Sequence, residues 1–192
     1  DHFYVDCGAY NLWETCVSYN TAAHLMGPYR CPAYHCKGHA VITNKSPAAP
    51  YRGAGRPEAV FTFERLLDEA AQMLSMDRMA LRKKLLITAE EMPYDAGIYY
   101  RDGRPVVYDS GDFQTSFNKL LEPVDYQNFL TKQQEEREKG IYLGLGIAGF
   151  IEGTGIGPYE GANVRLAEDG SIVVATGAAS QGQGHETSFS QI

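Results

Sequence analysis

The sequence predicts an α+β fold, in which strands and hairpins are mixed with packed helices. Strand-like runs of β-branched and apolar residues open the chain and dominate its final third, while helical spacing prevails in the middle. The helices occur in pairs, without the strand–helix alternation of a parallel sheet. We expect one α+β unit over residues 1–192, which can also be divided into sub-units 1–112 and 140–192 joined by a helical segment 113–139.

The first quarter of the chain is predicted to hold two strands on either side of a helix. Phe3 to Ala9 forms the first strand, and apolar residues near helical spacing run from Leu12 to Met26, where a Gly-Pro pair stops them. The second strand runs from Tyr34 to Thr43. Two prolines in residues 44–50 then force an extended loop.

Two helices follow that loop. Pro57 suits the first position of a helix that extends to about Met73. Asp77 is the predicted N-cap of a second helix, which continues to about Leu86. We interpret the basic run Arg82-Lys83-Lys84 in this second helix as a solvated face, since no wider basic stripe accompanies it.

A hairpin and two further helices complete the middle of the chain. Asp102-Gly103 favours a tight turn within Ile98–Tyr108. Helical patterns then cover Phe113–Leu121 and the polar stretch from a cap at Asp125 to Lys139. The polar composition of the last helix predicts that it lies on a surface.

The final third is predicted to be rich in β-structure. Tyr142–Glu152 is one strand, and Ala162–Ala167 with Ser171–Thr176 form a hairpin around a Glu-Asp-Gly turn. The motif G-x-G-x-x-G occurs at Gly144–Gly149, but a nicotinamide site needs a helix after it, and the continuation is rich in Gly and Pro. We therefore interpret these small residues as a strand against which another backbone or a flat ligand packs closely.

Two glycine-rich turns, each leading into a predicted helix start, are the candidate binding sites. They are Pro50–Glu58 and Ala175–Thr187. Free N–H groups and the positive end of a helix dipole favour an anion at such a place. Arg52 and Arg56 add positive charge to the first turn. Either turn alone is as readily an ordinary connecting loop, but the two together would be able to clamp a large anionic ligand.

Composition excludes several classes of function. A net charge of −7 without a basic stripe argues against nucleic-acid binding. The sequence has neither an apolar run long enough to span a membrane nor a signal peptide. A strand over Tyr34–Thr43 would point His35 and His39 away from Cys36, so we predict no metal site there. The four cysteines are interpreted as reduced structural thiols of a cytoplasmic protein.

The two turns, taken together, carry a resemblance to a known family. PYRGAGRPEA at Pro50–Ala59 and GAASQGQGHET at Gly177–Thr187 resemble the molybdenum-binding large subunit of the xanthine dehydrogenase, aldehyde oxidase and carbon monoxide dehydrogenase family. Val5–Tyr10, Thr43-Asn44 and Tyr108–Asp112 are similar to that family as well. The resemblance therefore covers essentially the whole chain.

The resemblance implies a molybdopterin cofactor, either alone or as a dinucleotide, with molybdenum in the full-length protein. It places residues of the first turn beside the metal, with backbone N–H groups near its oxo ligand, and residues of the second turn against the pterin near its dithiolene and phosphate. The implied cofactor-binding residues are Tyr51, Arg52, Gly53, Ala54, Gly55, Gln181, Gly182, Gln183, Gly184 and, at the helix start, Thr187.

The implied activity is that of a molybdenum hydroxylase, an oxidoreductase that uses water as its oxygen source and a glutamate as base. Electrons would leave through iron–sulfur and FAD partner subunits or domains. The family's glutamate lies beyond Ile192, and a further cofactor loop precedes Asp1. We therefore name no catalytic residue, promote none of Glu152, Glu160 and Glu186, and interpret the sequence as an internal fragment that is inactive alone.

Two departures from the family's pattern restrict the range of expected small-molecule substrates. The turn Tyr51–Gly55 lacks the cysteine found in copper-containing carbon monoxide dehydrogenases, and no arginine from Leu12 to Pro28 matches the one that contacts purines. An aldehyde or an aromatic N-heterocycle is therefore expected. The alternative function is a non-catalytic packing or subunit-docking module. In either case, we expect exposed apolar surface to cause self-association.

Overall fold

The computed structural model describes residues 2–10, 15–153 and 160–192, and it confirms the α+β class. The chain divides into two compact units, Asp1–Ile151 and Glu152–Ile192. Within the described ranges, no helix is both long enough and apolar enough to cross a membrane.

The first unit begins with two strands that pair in parallel. β1 (His2–Gly8) lies beside β2 (Lys37–Ile42), and α1 (Cys16–His24) connects them in sequence. The predicted start of α1 near Leu12 falls outside the described residues. β2 is shorter than predicted, because the chain before Lys37 makes no strand pairing. Gly38 opposes Phe3, and a Cβ at Gly38 would lie 2.7 Å from the ring, so a larger residue there would displace the Phe3 side chain.

All four cysteines are free thiols. Among the residues that the structure describes, no group of three or more His, Cys, Asp or Glu side chains could hold a metal ion.

The predicted helix pair is confirmed almost to the residue. α2 spans Arg56–Met73 and α3 spans Arg78–Leu85. Asp77 caps α3, since its Oδ1 accepts hydrogen bonds of 2.9 Å from the N–H groups of Met79 and Ala80. The helices pack around the main core of this unit. Its buried members are Tyr29, Leu67, Ala71, Met79, Leu81, Leu86, Phe117 and Tyr126.

The hairpin and the next two helices are also confirmed. β3 (Tyr94–Tyr99) pairs antiparallel with β4 (Pro105–Tyr108), and α4 (Phe113–Leu121) and α5 (Tyr126–Glu138) follow. Asp125 precedes α5 as expected, but its side chain makes no capping bond. The reason is its backbone φ of 46°, which differs from the extended conformation that lets a side chain reach back to the helix N–H groups.

The strand predicted over Tyr142–Glu152 is wrong. Residues 141–153 form no hydrogen-bonded strand, although their side chains alternate between exposed and half-buried. Leu145 and Ile147 pack against the core of the first unit. The period of two is therefore real, but it reflects burial of every second side chain and not pairing with a neighbouring strand.

No helix follows the G-x-G-x-x-G motif in residues 150–153, whereas a nicotinamide site needs one directly after the motif. Close packing occurs at Gly149, where a Cβ would lie 2.9 Å from the hydroxyl of Tyr29, but the neighbour is a side chain and not the expected backbone. Gly144 and Gly146 face open space. Only one of the motif's three glycines is therefore required by packing.

A buried ion pair corrects the interpretation of the basic run in α3. Arg82 is 1% exposed, and its Nε donates to Glu64 Oε2 at 2.7 Å. The other carboxylate oxygen of Glu64 accepts from the Tyr29 hydroxyl and the Gly149 N–H, both at 2.7 Å. Burial and the Glu64 carboxylate raise the pKa of Tyr29, so the hydroxyl stays protonated and donates. The carboxylate is thus fully satisfied.

Asp68 adds a second acid to this network. Its Oδ1 lies 2.9 Å from Arg82 Nη2 but has no well-directed hydrogen bond among the described residues, whereas Nη2 donates to the main-chain carbonyl of Glu64 at 3.0 Å. The Asp68 contact is therefore an ion pair that neutralises charge, whereas the Glu64 contact also fixes direction.

The second unit contains the predicted hairpin and a short helix. β5 (Ala162–Leu166) pairs antiparallel with β6 (Ile172–Thr176), and α6 (His185–Phe189) follows. Every residue of both strands is exposed, on both faces of the ribbon. This hairpin therefore gains its order from strand pairing and not from a core.

Candidate functional site

The first candidate site is the turn that enters α2, residues Tyr51–Arg56, which we call the first loop. Gly53 and Gly55 both have φ of 95°, and Ala54 has φ of 41°. The loop closes through a hydrogen bond of 2.8 Å from the Ala54 N–H to the Tyr51 carbonyl. A Cβ at Gly55 would lie 2.2 Å from the carbonyl oxygen of Val17, so only glycine allows the loop to lie directly against α1.

Polar side chains of α1 hold the loop by its carbonyl groups. Asn20 Nδ2 donates to the Ala54 carbonyl at 2.8 Å, and Thr21 Oγ1 lies 3.0 Å from the Gly55 carbonyl. Asn20 and Thr21 are both buried. The loop is thus fixed from one side, and its carbonyl oxygens point toward α1.

The opposite side of the loop presents donors. In a trans peptide the N–H points away from the preceding carbonyl, so the N–H of Gly55 points away from α1. Within the described residues this N–H has no acceptor, although Gly55 is buried. Tyr51 is 89% exposed and the side chain of Arg52 is exposed as well. An N–H without an acceptor among the described residues, on a loop that also carries an arginine, fits an oxo or phosphate oxygen.

Arg56 has a different role from the one expected of it. It is buried, its Nε donates to His24 Nε2 at 3.2 Å, and its Nη1 donates to the Gly53 carbonyl at 3.3 Å. Arg56 therefore stabilises the first loop through the Gly53 carbonyl and is not accessible to a ligand. Of the two arginines, only Arg52 has an exposed side chain.

The stability of the first loop depends on the protonation state of His24. Its Nδ1 lies 2.8 Å from the Asn20 carbonyl and donates to it, which leaves Nε2 to accept from Arg56. Burial lowers the pKa of His24, and the positive charge of Arg56 acts in the same direction. The folded loop therefore requires a neutral imidazole.

We expect the free energy that holds the first loop in place to fall as the pH drops below about 6.5, the ordinary pKa of histidine. Below that value the unfolded chain binds a proton that the native His24 does not. Hydrogen exchange of the loop at about pH 7.5 and about 5.5, corrected for intrinsic rates, measures the effect. In His24→Gln, the extra opening at the lower pH should disappear. Equal pH dependence in both proteins would contradict the role of His24.

The second candidate site is the turn Gly177–Gly184 of the second unit, which we call the second loop. Gly182 and Gly184 have φ of 103° and 71°, and Gly184 is the N-cap of α6, with no side chain to cap it. Gln183 folds back over the turn, so that its Oε1 accepts from the Gln181 N–H, and Ser180 Oγ accepts from the Gly182 N–H at 3.3 Å. These side chains occupy donors that an anion would otherwise use.

The structure places the predicted residues of the second loop on the surface. Gln181, Gly182, Gln183 and Gly184 are all exposed, and so is Thr187, which lies in the first turn of α6 and not at its first residue. The helix starts earlier, at His185.

Two features of the site escaped the sequence patterns. His185 has a buried Nδ1 without a hydrogen-bond partner among the described residues, and its ring stacks on Phe189 at 5.1 Å. Asn20 and Thr21 were overlooked because the helix was predicted from its apolar residues. Their signal was available: Asn and Thr are poor residues for a helix interior, so a buried pair of them needs a polar partner.

Comparison with known proteins shows the family to which the chain belongs. Two family models, each described as a molybdopterin cofactor-binding domain, match residues 1–86 and 119–192. The gamma subunit of the 6-hydroxypseudooxynicotine dehydrogenase complex of Paenarthrobacter nicotinovorans is 36% identical over 100% of this chain and 24% of its own length. The carbon monoxide dehydrogenase large chain of Hydrogenophaga pseudoflava is 34% identical over 86% of this chain and 22% of its own length.

The fold is similar to solved structures as well. Quinoline 2-oxidoreductase from Pseudomonas putida 86 superposes with a TM-score of 0.83 at 34% identity, over 99% of this chain and 25% of that one. The chain spans about a quarter of the length of the curated relatives it matches. On these matches, the chain belongs to the molybdenum-binding large-subunit family of xanthine dehydrogenase, aldehyde oxidase and carbon monoxide dehydrogenase.

Proposed function

We propose that both loops bind molybdopterin, alone or as a dinucleotide, with molybdenum in the intact protein. The residues are Tyr51, Arg52, Gly53, Ala54 and Gly55 of the first loop, and Gln181, Gly182, Gln183 and Gly184 of the second, with Thr187. One observation carries the proposal: the carbonyl groups of the first loop are anchored on α1, while the Gly55 N–H has no acceptor among the described residues. Such a donor suits an anionic group.

The residues of this chain would bind and orient the cofactor. α1 holds the first loop so that the Gly55 N–H faces the ligand, and the exposed side chain of Arg52 adds a positive charge. In the second loop, the amide of Gln183 can exchange its bond to the Gln181 N–H for one to the ligand. When bound, the molybdenum cofactor supplies the oxidation chemistry, with water as the source of oxygen.

We propose that the intact protein is a molybdenum hydroxylase that oxidises an aldehyde or an aromatic N-heterocycle. The similarity to quinoline 2-oxidoreductase supports the heterocycle, and the absence of cysteine from Tyr51–Gly55 disfavours carbon monoxide. Iron–sulfur and FAD subunits or domains would take the electrons. No residue of this chain is assigned as the base. Four free thiols support a cytoplasmic location.

The test is to purify the intact protein with its partner subunits. Metal analysis and pterin fluorescence should both be positive, and the complex should reduce an artificial electron acceptor when quinoline or an aromatic aldehyde is added. A properly matured complex that contains neither molybdenum nor pterin would overturn the proposal.

A second candidate function is a packing or subunit-docking module. It is favoured by the exposed β5–β6 hairpin of the second unit. Val164, Leu166 and Ile172 are each about two-thirds exposed or more. Apolar side chains in such number on one ribbon favour a protein partner or a second copy. In this case the same preparation would lack molybdenum and pterin, and its sedimentation would show assembly that increases with concentration.

A further inference from the structure

One buried side chain of α1 is not explained by helix packing alone. Asn20 is 1% exposed in the interior of the helix, where asparagine is unfavourable. We propose that Asn20 is a positioning residue: through the Ala54 carbonyl it sets the plane of the Ala54–Gly55 peptide and thereby aims the Gly55 N–H at the ligand. This inference rests on the proposed function of the first loop.

The geometry gives Asn20 control over a single peptide. Its Nδ2 donates to the Ala54 carbonyl at 2.8 Å, across 34 residues of sequence. The neighbouring carbonyl groups have other partners, since Gly53 accepts from Arg56 and Gly55 accepts from the main-chain N–H of Ala59. Gly55, with φ of 95°, lacks the side chain that would resist a flip of the peptide before it. Among the described residues, the bond to Asn20 is therefore the hydrogen bond that holds this plane.

A second hydrogen bond holds the amide of Asn20 in place. The Ala54 carbonyl can only accept, so it takes the amide nitrogen, and Oδ1 is left for the other neighbour. The hydroxyl of Tyr100, which follows β3, donates to Asn20 Oδ1 at 2.6 Å. The ring of Tyr100 is itself held edge-on against Tyr19 and His24, at centroid distances of 6.2 and 5.9 Å. The Tyr100–Asn20–Ala54 chain thus connects the β3–β4 hairpin to the loop.

Asn20→Asp separates positioning from simple packing. The carboxylate keeps the shape and still accepts from Tyr100, but it presents a second oxygen to the Ala54 carbonyl, so the two repel. We expect about tenfold faster hydrogen exchange in the first loop of the intact protein, with or without cofactor, as the loss of one hydrogen bond predicts. The holoenzyme should retain less molybdenum, and the electron paramagnetic resonance spectrum of its Mo(V) state should change.

Tyr34→Phe is the matched control. It removes a half-buried hydroxyl that donates to the Ala22 carbonyl of α1 at 2.6 Å and forms no hydrogen bond to the first loop among the described residues. It should loosen α1 and leave the Mo(V) spectrum unchanged. Tyr100→Phe should change the spectrum in the same direction as Asn20→Asp, to a smaller extent, and it stands in for that variant if Asn20→Asp does not accumulate.

The outcomes separate the two proposals. If the wild-type complex holds molybdenum, and Asn20→Asp or its stand-in has wild-type loop exchange and an unchanged Mo(V) spectrum, the positioning inference is overturned. If the wild-type complex holds no molybdenum and no pterin, the proposed function is overturned instead.

Discussion

Replacing Arg82 with alanine is expected to destabilise the helix pair α2–α3 by about 3–5 kcal/mol, because it leaves the buried Glu64 carboxylate without its counter-ion. Native-state hydrogen exchange of the α2 and α3 amides measures the local free energy of opening directly. This method does not require the whole protein to unfold in two states.

The matched control is Arg65→Ala, on the exposed face of α2. Arg65 also forms ion pairs, with Asp68 at 3.3 Å and with Glu69 at 3.5 Å, but more than half of its side chain is exposed. Water screens these pairs, so the cost should stay within about 1 kcal/mol. Similar losses in the two variants would show that burial of the Glu64–Arg82 pair adds nothing.

Removing both charges should not restore full stability. An apolar pair of similar volume often replaces a buried ion pair at no cost. Here, however, Glu64→Leu with Arg82→Met would strand the Tyr29 hydroxyl and the Gly149 N–H, which lose their common acceptor. Each stranded group costs about 1–3 kcal/mol. We therefore expect the double variant to remain clearly less stable than the wild type in the same exchange measurement.

Gly55→Ala is expected to displace the first loop and to strip most of the cofactor from the intact protein. The added Cβ would lie 2.2 Å from the Val17 carbonyl oxygen and 2.9 Å from the Thr21 N–H, both rigid backbone groups of α1. The positive φ adds strain of about 1–3 kcal/mol. Molybdenum content and hydrogen exchange of residues 51–56 measure the two effects.

Two other glycines separate the clash from the strain. Gly97 has φ of 70° but open space around a Cβ, so Gly97→Ala should cost only the strain. Gly144 has open space and no positive φ, so Gly144→Ala should fall within about 0.5 kcal/mol of the wild type. Both should keep their molybdenum. Retention of molybdenum and slow loop exchange in Gly55→Ala would refute the close approach to α1.

Local chemistry accounts for what the sequence predicted well. Asp77 marks the start of α3 because a cap and its helix are neighbours in sequence, and Pro57 lies within one residue of the start of α2 for the same reason. The hairpin around Asp102-Gly103 also follows from its turn residues. These elements needed no knowledge of the rest of the chain.

The wrong predictions concern residues whose environment depends on a partner that is distant in the sequence. Arg82 stands in a basic run with Lys83 and Lys84, which are exposed as expected, and only a carboxylate on another helix distinguishes it from them. The pattern of residues 141–153 was right about alternation and could not show that no strand lies beside them. In the same way, the glycines of the first loop predict a turn. The direction in which its Gly55 N–H points depends on Asn20, which lies on the preceding helix, α1.

The partners of Glu64 also imply an order of assembly on the ribosome. Tyr29 and Arg82 lie within 35 residues of it along the chain, whereas Gly149 is 85 residues away. The shorter closures cost less conformational entropy and can form as soon as α3 has been synthesised. Until residue 149 emerges, the carboxylate oxygen that accepts from Tyr29 lacks its second donor. The stretch 141–151 therefore completes the core last, and a nascent chain halted before it carries the first unit unfinished.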